Sequence, residues 1–394
     1  MKAERKRKYI SLYNVSKREC KNLVSRPIYL FCMVIAPLFC TIFFTTLMGS
    51  GLPTNLPIGA VDQDQTSVSR NLLRNLDAFQ QIAITERFTD VAAARRSMQR
   101  GDIYGFFYIP HQTAKKAIAQ KRPTISFYTN SSYLIAGSLL YRDMRTISEL
   151  TNGALARETL RAKGLADDQI QSLLQPIVID SHPINNPWLN YSVYLCNTLI
   201  PGVLMLLIFQ ITVYSIGVEL KEKTSREWLR QGNNSIFISL WGKLLPHTII
   251  FFIIGSFIDI YLYCYLKFPC ESGLGPMIFA TLFMILAAQS TGVVMIGTLP
   301  TLRLGLSFAS LWGVVSFSIS GFTYPVMAMD SWLQGIANLF PLRHYFLIYV
   351  DQALNGYPMI YSWNSYLALL IFIFLPFAVI NRLKKAMLYY TYQP

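Results

Sequence analysis

The residues able to do chemistry are few, and most of the familiar constellations are missing. The four histidines, His111, His182, His247 and His344, are scattered, with no His-x-x-x-His pair and no Cys-x-x-Cys to complete a zinc site. No Gly-x-Ser-x-Gly elbow offers a nucleophile. The Gly242-Lys243 pair resembles the end of a phosphate-binding loop. However, Leu244 stands where Ser or Thr would hold magnesium, and Phe237 stands where the first glycine belongs. The chain therefore reads as having no nucleotide site or cofactor of its own, with His111 and His247 in structural roles. What remains are polar groups inside apolar runs. Asp259 is the most telling, because an ionisable side chain within a span is costly unless it faces a bundle interior or water. Gln210 and Gln289 could line a transport path with it, or could simply hydrogen-bond neighbouring helices.

A second kind of chemistry lies in the charged stretch 218–245, wedged between two long apolar runs. Glu219, Glu222, Lys223, Arg226 and Glu227 alternate in sign, and Leu220, Trp228, Leu229, Ile236 and Leu240 can supply an apolar side. Such a segment is too polar to cross a bilayer and too amphipathic to be a plain linker. It is expected at the membrane surface, where a soluble partner could grip it.

These residues must be positioned by membrane helices. With 53% hydrophobic and 14% charged residues and a mean hydropathy of +0.35, the 394-residue chain is unlike a soluble globular protein. Six runs approach the roughly 20 residues needed to span a bilayer: 27–48, 192–217, 246–266, 277–299, 304–320 and 363–381. If all six cross, one side carries the leader 1–26, the segment 218–245, Arg303 and the tail 382–394, and with them +13 of the +14 net charge. The positive-inside bias then puts both termini in the cytoplasm. Because the cations flank spans, nucleic acid is not an expected partner; the lipid bilayer is. The first run is too long for a signal peptide and no cleavage site follows it. The six cysteines all lie outside 51–190, so no disulfide is expected in the exported part.

The polar segment 49–191 alternates strand and helix signals. Strands are expected at 58–61, 82–85, 104–109, 124–128 and 177–179, and helices at 67–76, 90–100, 132–163 and 167–174. That alternation implies an inserted extracytoplasmic α/β domain with a small mixed sheet. The fold class is thus a polytopic α-helical membrane protein with six transmembrane helices and an inserted α/β domain. After the fifth run, 321–354 is broken by Gly321, Pro325 and Pro341 and reads as re-entrant or interfacial helices, with Asp330 capping the first of them.

The order of these parts resembles the membrane subunits of type-2 ABC exporters, in the branch with a large extracytoplasmic domain after the first helix. The resemblance rests on the strand-turn at 58–64, the strand 105–110 ending in Ile-Pro, and the charged run from Glu219 to Trp228 with Gly242-Lys243 downstream. Gly321 with Tyr324-Pro325, and Pro341 with Arg343, complete it. Where the family often has Glu-x-Glu-x-Gly-Thr after the second helix, this chain has Glu219, then Glu222-Lys223-Thr224, without the glycine. The resemblance implies a second permease copy or paralogue, a separate cytoplasmic ATPase dimer carrying ATP and magnesium, and export of a hydrophobic or amphipathic compound from the bacterial inner membrane. It leaves room for a periplasmic adaptor. Two other classes stay open: a receptor whose exported domain binds a ligand, and a membrane-embedded transferase, for which Arg343, His344 and Asp330 are the only, poorly placed, candidates.

Overall fold

The computed structural model describes residues 2–119, 121, 123–175, 180–187 and 189–389. The strand expected at 177–179 and the last five residues of the tail lie outside the described residues. The chain forms two compact units, 1–49 with 183–394, and 50–182.

The larger unit is a helical bundle. Among the described residues six helices are long and apolar enough to cross a membrane: span 1 (Pro27–Leu47), span 2 (Tyr191–Lys221), span 3 (Ile236–Tyr265), span 4 (Leu274–Thr298), span 5 (Leu302–Ile319) and span 6 (Trp363–Tyr389). Spans 2 and 4 form its buried centre, through residues such as Ile208, Phe209, Met284 and Ala288. The protein is thus a polytopic helical membrane protein. Three helices run further than their apolar composition alone indicates, span 6 continuing through Arg382, Lys384 and Lys385 to Tyr389. Span 2 carries Glu219 and Lys221 as its last turn, and span 3 begins at Ile236, because the amphipathic run ahead of Pro246 continues one helix through that proline. Spans 1 and 3 each include a π-helical stretch, Phe31–Ile35 and Ile260–Tyr265, the second directly after Asp259. Such bulges widen a helix locally and tend to mark functional positions.

The N-terminal helix, Lys2–Ser25, docks on the bundle. Its protein-facing stripe is Ser11, Val15 and Glu19, one helical turn apart, and not the aromatic residues. Tyr9, Ile10 and Tyr13 stay exposed, free to meet a membrane surface.

The smaller unit holds a four-stranded sheet in the order β2-β1-β3-β4, with β1 (Leu56–Asp62), β2 (Ile82–Phe88), β3 (Gly105–Ile109) and β4 (Ser126–Thr129). β1 pairs parallel with β2 and β3, and β4 runs antiparallel to β3. Both faces are covered, so neighbouring residues on one strand enter different cores. Phe107 packs with Ile58, Leu76, Leu140 and Met144 beneath helices Ser67–Asp77 and Leu134–Ala162. Phe106 packs with Val61, Ala94 and Ile103 beneath helix Val91–Arg100.

Candidate functional site

The link between spans 2 and 3 is a tight elbow. Lys223 turns the chain with a φ of 60°, helix Ser225–Gln231 follows, and Asn233 and Asn234 turn it again with φ of 57° and 58°. Ser225, Trp228, Leu229 and Gly232 are buried, at the spacing that puts them on one side of a helix. That side is fastened to the end of span 6. Ser225 Oγ donates to the Met387 carbonyl at 2.8 Å, and the Arg226 guanidinium donates to the Leu388 carbonyl at 2.8 and 3.1 Å. The opposite side leaves Lys223, Glu227 and Arg230 exposed.

Behind the elbow lies a buried charge cluster drawn from three distant parts of the chain. Lys243 Nζ, 2% exposed, donates to Glu19 Oε2 at 2.7 Å and to Glu219 Oε1 at 2.9 Å. His247 Nε2–H donates to Glu19 Oε1 at 2.9 Å. Arg18 pairs with Glu219 Oε2 at 2.9 Å, and the Thr224 hydroxyl donates to the same oxygen. Lys243 Nζ also sits 5.1 Å from the Trp228 ring centroid, a cation–π contact. At the rim, Arg26 reaches Glu222 at 2.6 Å. Two carboxylates thus face two permanent cations, and each buried oxygen has a donor, which is what allows such charges to be buried at all. Burial alone would raise the Glu19 pKa, but the Lys243 ammonium and the His247 donor outweigh it, so its carboxyl is held below the usual range.

The Gly242-Lys243 pair acquires a physical role from this geometry. A Cβ at Gly242 would fall 2.8 Å from Val15 Cβ and 3.2 Å from the Leu12 carbonyl oxygen. The bare glycine therefore lets the N-terminal helix cross span 3 closely. Ser16 Oγ donates to the Gly242 carbonyl at 2.8 Å, and Lys243 meets Glu19 one turn further on.

Other polar residues singled out in the sequence are placed apart from this cluster and from one another. Gln210 Nε2 donates to Ser310 Oγ at 2.5 Å between spans 2 and 5, while Gln289 Oε1 accepts from Thr248 Oγ1 at 2.7 Å between spans 4 and 3. Asp259 is buried, its Oδ2 accepting from Thr281 Oγ1 at 2.8 Å, with the Tyr345 hydroxyl 3.4 Å from that same Thr281 oxygen. The three form separate helix–helix bonds. After span 5, Gly321 turns with a φ of 105°, and an added Cβ there would lie 3.1 Å from Val326 and 3.5 Å from the Arg343 guanidinium. Tyr324 is exposed and donates to the Ala328 carbonyl, Pro325 precedes a 3-10 turn, and Pro341 opens helix Pro341–Tyr349. Arg343 Nε reaches Asn338 Oδ1 at 3.2 Å, closing the loop onto itself. Asp330 stands at the N-cap of helix Ser331–Ala337, but its side chain makes no capping bond. Among the described residues no three His, Cys, Asp or Glu side chains converge to hold a metal ion.

One sequence family matches most of this chain. The model of the ABC-2 family transporter protein matches residues 27–380. The chain belongs to the ABC-2 transporter family. No curated protein matches it in a sequence search. As an ABC-2 transporter protein it is a membrane subunit of a transport system, and its family implies a partner ATPase. Glu19 and Arg18 are members of the buried cluster that sequence reasoning did not single out, and His247, expected in a structural role, joins them. Glu19 carried one signal, as one of only two acids among the first 26 residues. Glu219, expected among charges offered to a partner, is instead buried at 3% exposure inside the protein.

Proposed function

We propose that this ABC-2 transporter protein is the permease of an exporter, and that the elbow between spans 2 and 3 is where a separate cytoplasmic ATPase delivers work. The observation that carries this reading is the mounting of the elbow. A segment that transmits force must be stiff relative to what it moves. This one is tied to the N-terminal helix through Glu19, Lys243 and Glu219, to span 1 through Arg26 and Glu222, and to span 6 through Ser225 and Arg226. Displacing its outer side would therefore pull on spans 2, 3 and 6 together. In this reading Glu219, Trp228 and Arg226 hold the elbow in place, and the exposed Lys223, Glu227 and Arg230 set orientation and register against the ATPase.

The accompanying assembly is a pair of permeases, two copies or this chain with a paralogue, in the bacterial inner membrane. Both termini are cytoplasmic and 51–190 lies outside, in keeping with the charge on the leader, elbow and tail. The cargo is a hydrophobic or amphipathic compound such as a drug or lipid, and ATP with magnesium resides on the partner. The test is a charge reversal on the outer side alone, Glu227→Lys with Arg230→Glu, in the assembled complex. ATPase co-purification and substrate-stimulated hydrolysis should fall sharply, while the thermal midpoint of the permease stays unchanged. Undiminished assembly and transport would show that the ATPase docks elsewhere.

A further inference from the structure

A second site opens on the side of the bundle, away from the charge cluster, where spans 3, 4 and 6 part. The cause is Pro376, which lacks the N–H that would bond the Phe372 carbonyl and interrupts span 6 between Phe374 and Pro376. The resulting groove has a volume of about 250 Å³ and is lined by apolar residues, among them Leu244, Ile249, Leu286 and Ile373. Phe237 and Phe377, with ring centroids 5.4 Å apart, meet at one end. Only a few polar side chains reach it, and one of them is incompletely bonded. Gln289, 3% exposed, lines the groove and spends its Oε1 on Thr248, while its Nε2 is buried with no acceptor. A buried amide N–H without a partner is costly, so it calls for an acceptor from whatever fills the groove.

Depth selects the occupant. Thr248 lies five residues beyond Lys243 on span 3, roughly 7 Å deeper at the helical rise. The interfacial layer between charged groups and hydrocarbon is itself about 5–8 Å thick. A lipid whose headgroup stood level with Lys243 would thus bring its ester groups to the depth of the Gln289 amide. Arg382 and Lys385, both exposed, follow Ile380 on the same helix and are cations within reach of a lipid phosphate if the headgroup lies at this end.

We propose that this groove binds a glycerophospholipid from the leaflet on the elbow side, one acyl chain between spans 3, 4 and 6 and its ester carbonyl accepting from Gln289 Nε2. This does not rest on the ATPase contact. The bound lipid would fill the gap that Pro376 creates and tie the part of span 6 after Pro376 to span 3, the helix mounted on the elbow.

The test uses the full complex with p-benzoylphenylalanine at position 249 on the groove rim, or at position 311 on the exposed side of span 5 as a measure of ordinary surrounding lipid. After extensive detergent washing and illumination, intact mass should reveal a glycerophospholipid adduct at 249 well above that at 311. Gln289→Leu should lower the adduct roughly two- to tenfold, as expected for one lost hydrogen bond. The groove-filling Leu245→Trp should abolish the excess without touching the amide. Equal adduct at both positions, an adduct whose mass is not that of a glycerophospholipid, or an excess that survives both substitutions would overturn the proposal.

Discussion

Replacing Lys243 with methionine keeps the length of the side chain and removes only its charge and donors, which makes Lys243→Met a direct probe of the buried cluster. The ammonium makes contacts of 2.7 and 2.9 Å with two carboxylates. At an effective dielectric near 20, each such contact is worth about 6 kcal/mol of gross Coulomb attraction. Most of that is offset by the cost of taking the ammonium out of water. The net loss on deleting one partner is set instead by the stranded charges, about 3–5 kcal/mol. Here two carboxylates, each at most 4% exposed, would lose their shared ammonium and keep Arg18, His247, Asn22 and the Thr224 hydroxyl. On a scale of about 2–4 °C per kcal/mol, the thermal midpoint in detergent should drop by roughly 6–20 °C. The N-terminal helix should also become sensitive to protease. The triple replacement Lys243→Met, Glu19→Gln, Glu219→Gln should recover most of the loss, since no unpaired charge then remains buried. The control is Lys221→Met, an exposed lysine one turn from the cluster. A Lys243→Met midpoint within a degree of that control, or a triple variant no better than the single, would refute the reasoning.

Three further outcomes follow from the same geometry. Gly242→Val places a side chain into Val15 and should cost about 1–3 kcal/mol through overpacking, read as a lower midpoint and easier proteolysis of the N-terminal helix; unchanged values would mean the two helices do not cross as described. Because Glu19 is held below its ordinary value of 4.5, down toward about 2, its stabilisation is present above the ordinary value and is lost as pH falls through that window. The wild-type midpoint should therefore fall more steeply than that of Glu19→Gln between about pH 5 and pH 3, and parallel curves would contradict this. Asp259→Asn keeps an acceptor for the Thr281 hydroxyl and should assemble and transport normally, whereas Asp259→Leu removes it and should reduce transport in a complex that still assembles. Full transport by both would leave Asp259 without a role in the path.

The parts legible in the sequence were those governed by local composition. Apolar runs located the six helices, and alternating strand and helix signals located the sheet, because a span or a covered strand is specified by its own residues. The buried cluster was not legible, since Glu19 and Lys243 stand 224 positions apart and neither position by itself distinguishes a paired charge from a solvated one. Glu219 was legible as important but not in its direction, because a helix end beside alternating charges can turn either way until its neighbours are known. The Gly242-Lys243 pair shows the same limit. Its composition invited comparison with a phosphate loop, and only the approach of Val15 reveals that the glycine serves helix crossing. Gln289 lay between the two cases: its cost inside a span could be read, but its unpartnered nitrogen depends on where Thr248 happens to sit.

The reach of the Glu19 contacts also bears on how the protein is made. During synthesis the leader emerges first, yet the residues that pair with Glu19 come 224 and 228 positions later. At about 5–20 residues per second, Glu19 waits on the order of 10–45 s for Lys243. Throughout that interval the N-terminal helix lacks its partners on span 3, with only Arg18 and Arg26 able to reach the end of span 2. Its arrival on span 3 therefore certifies that the third helix has been inserted with the right orientation, since only then do Lys243 and His247 stand on the same side of the membrane as the leader. A chain that misplaced its third helix would keep an exposed leader and a stranded lysine, two features by which a quality-control protease could tell it from a finished one.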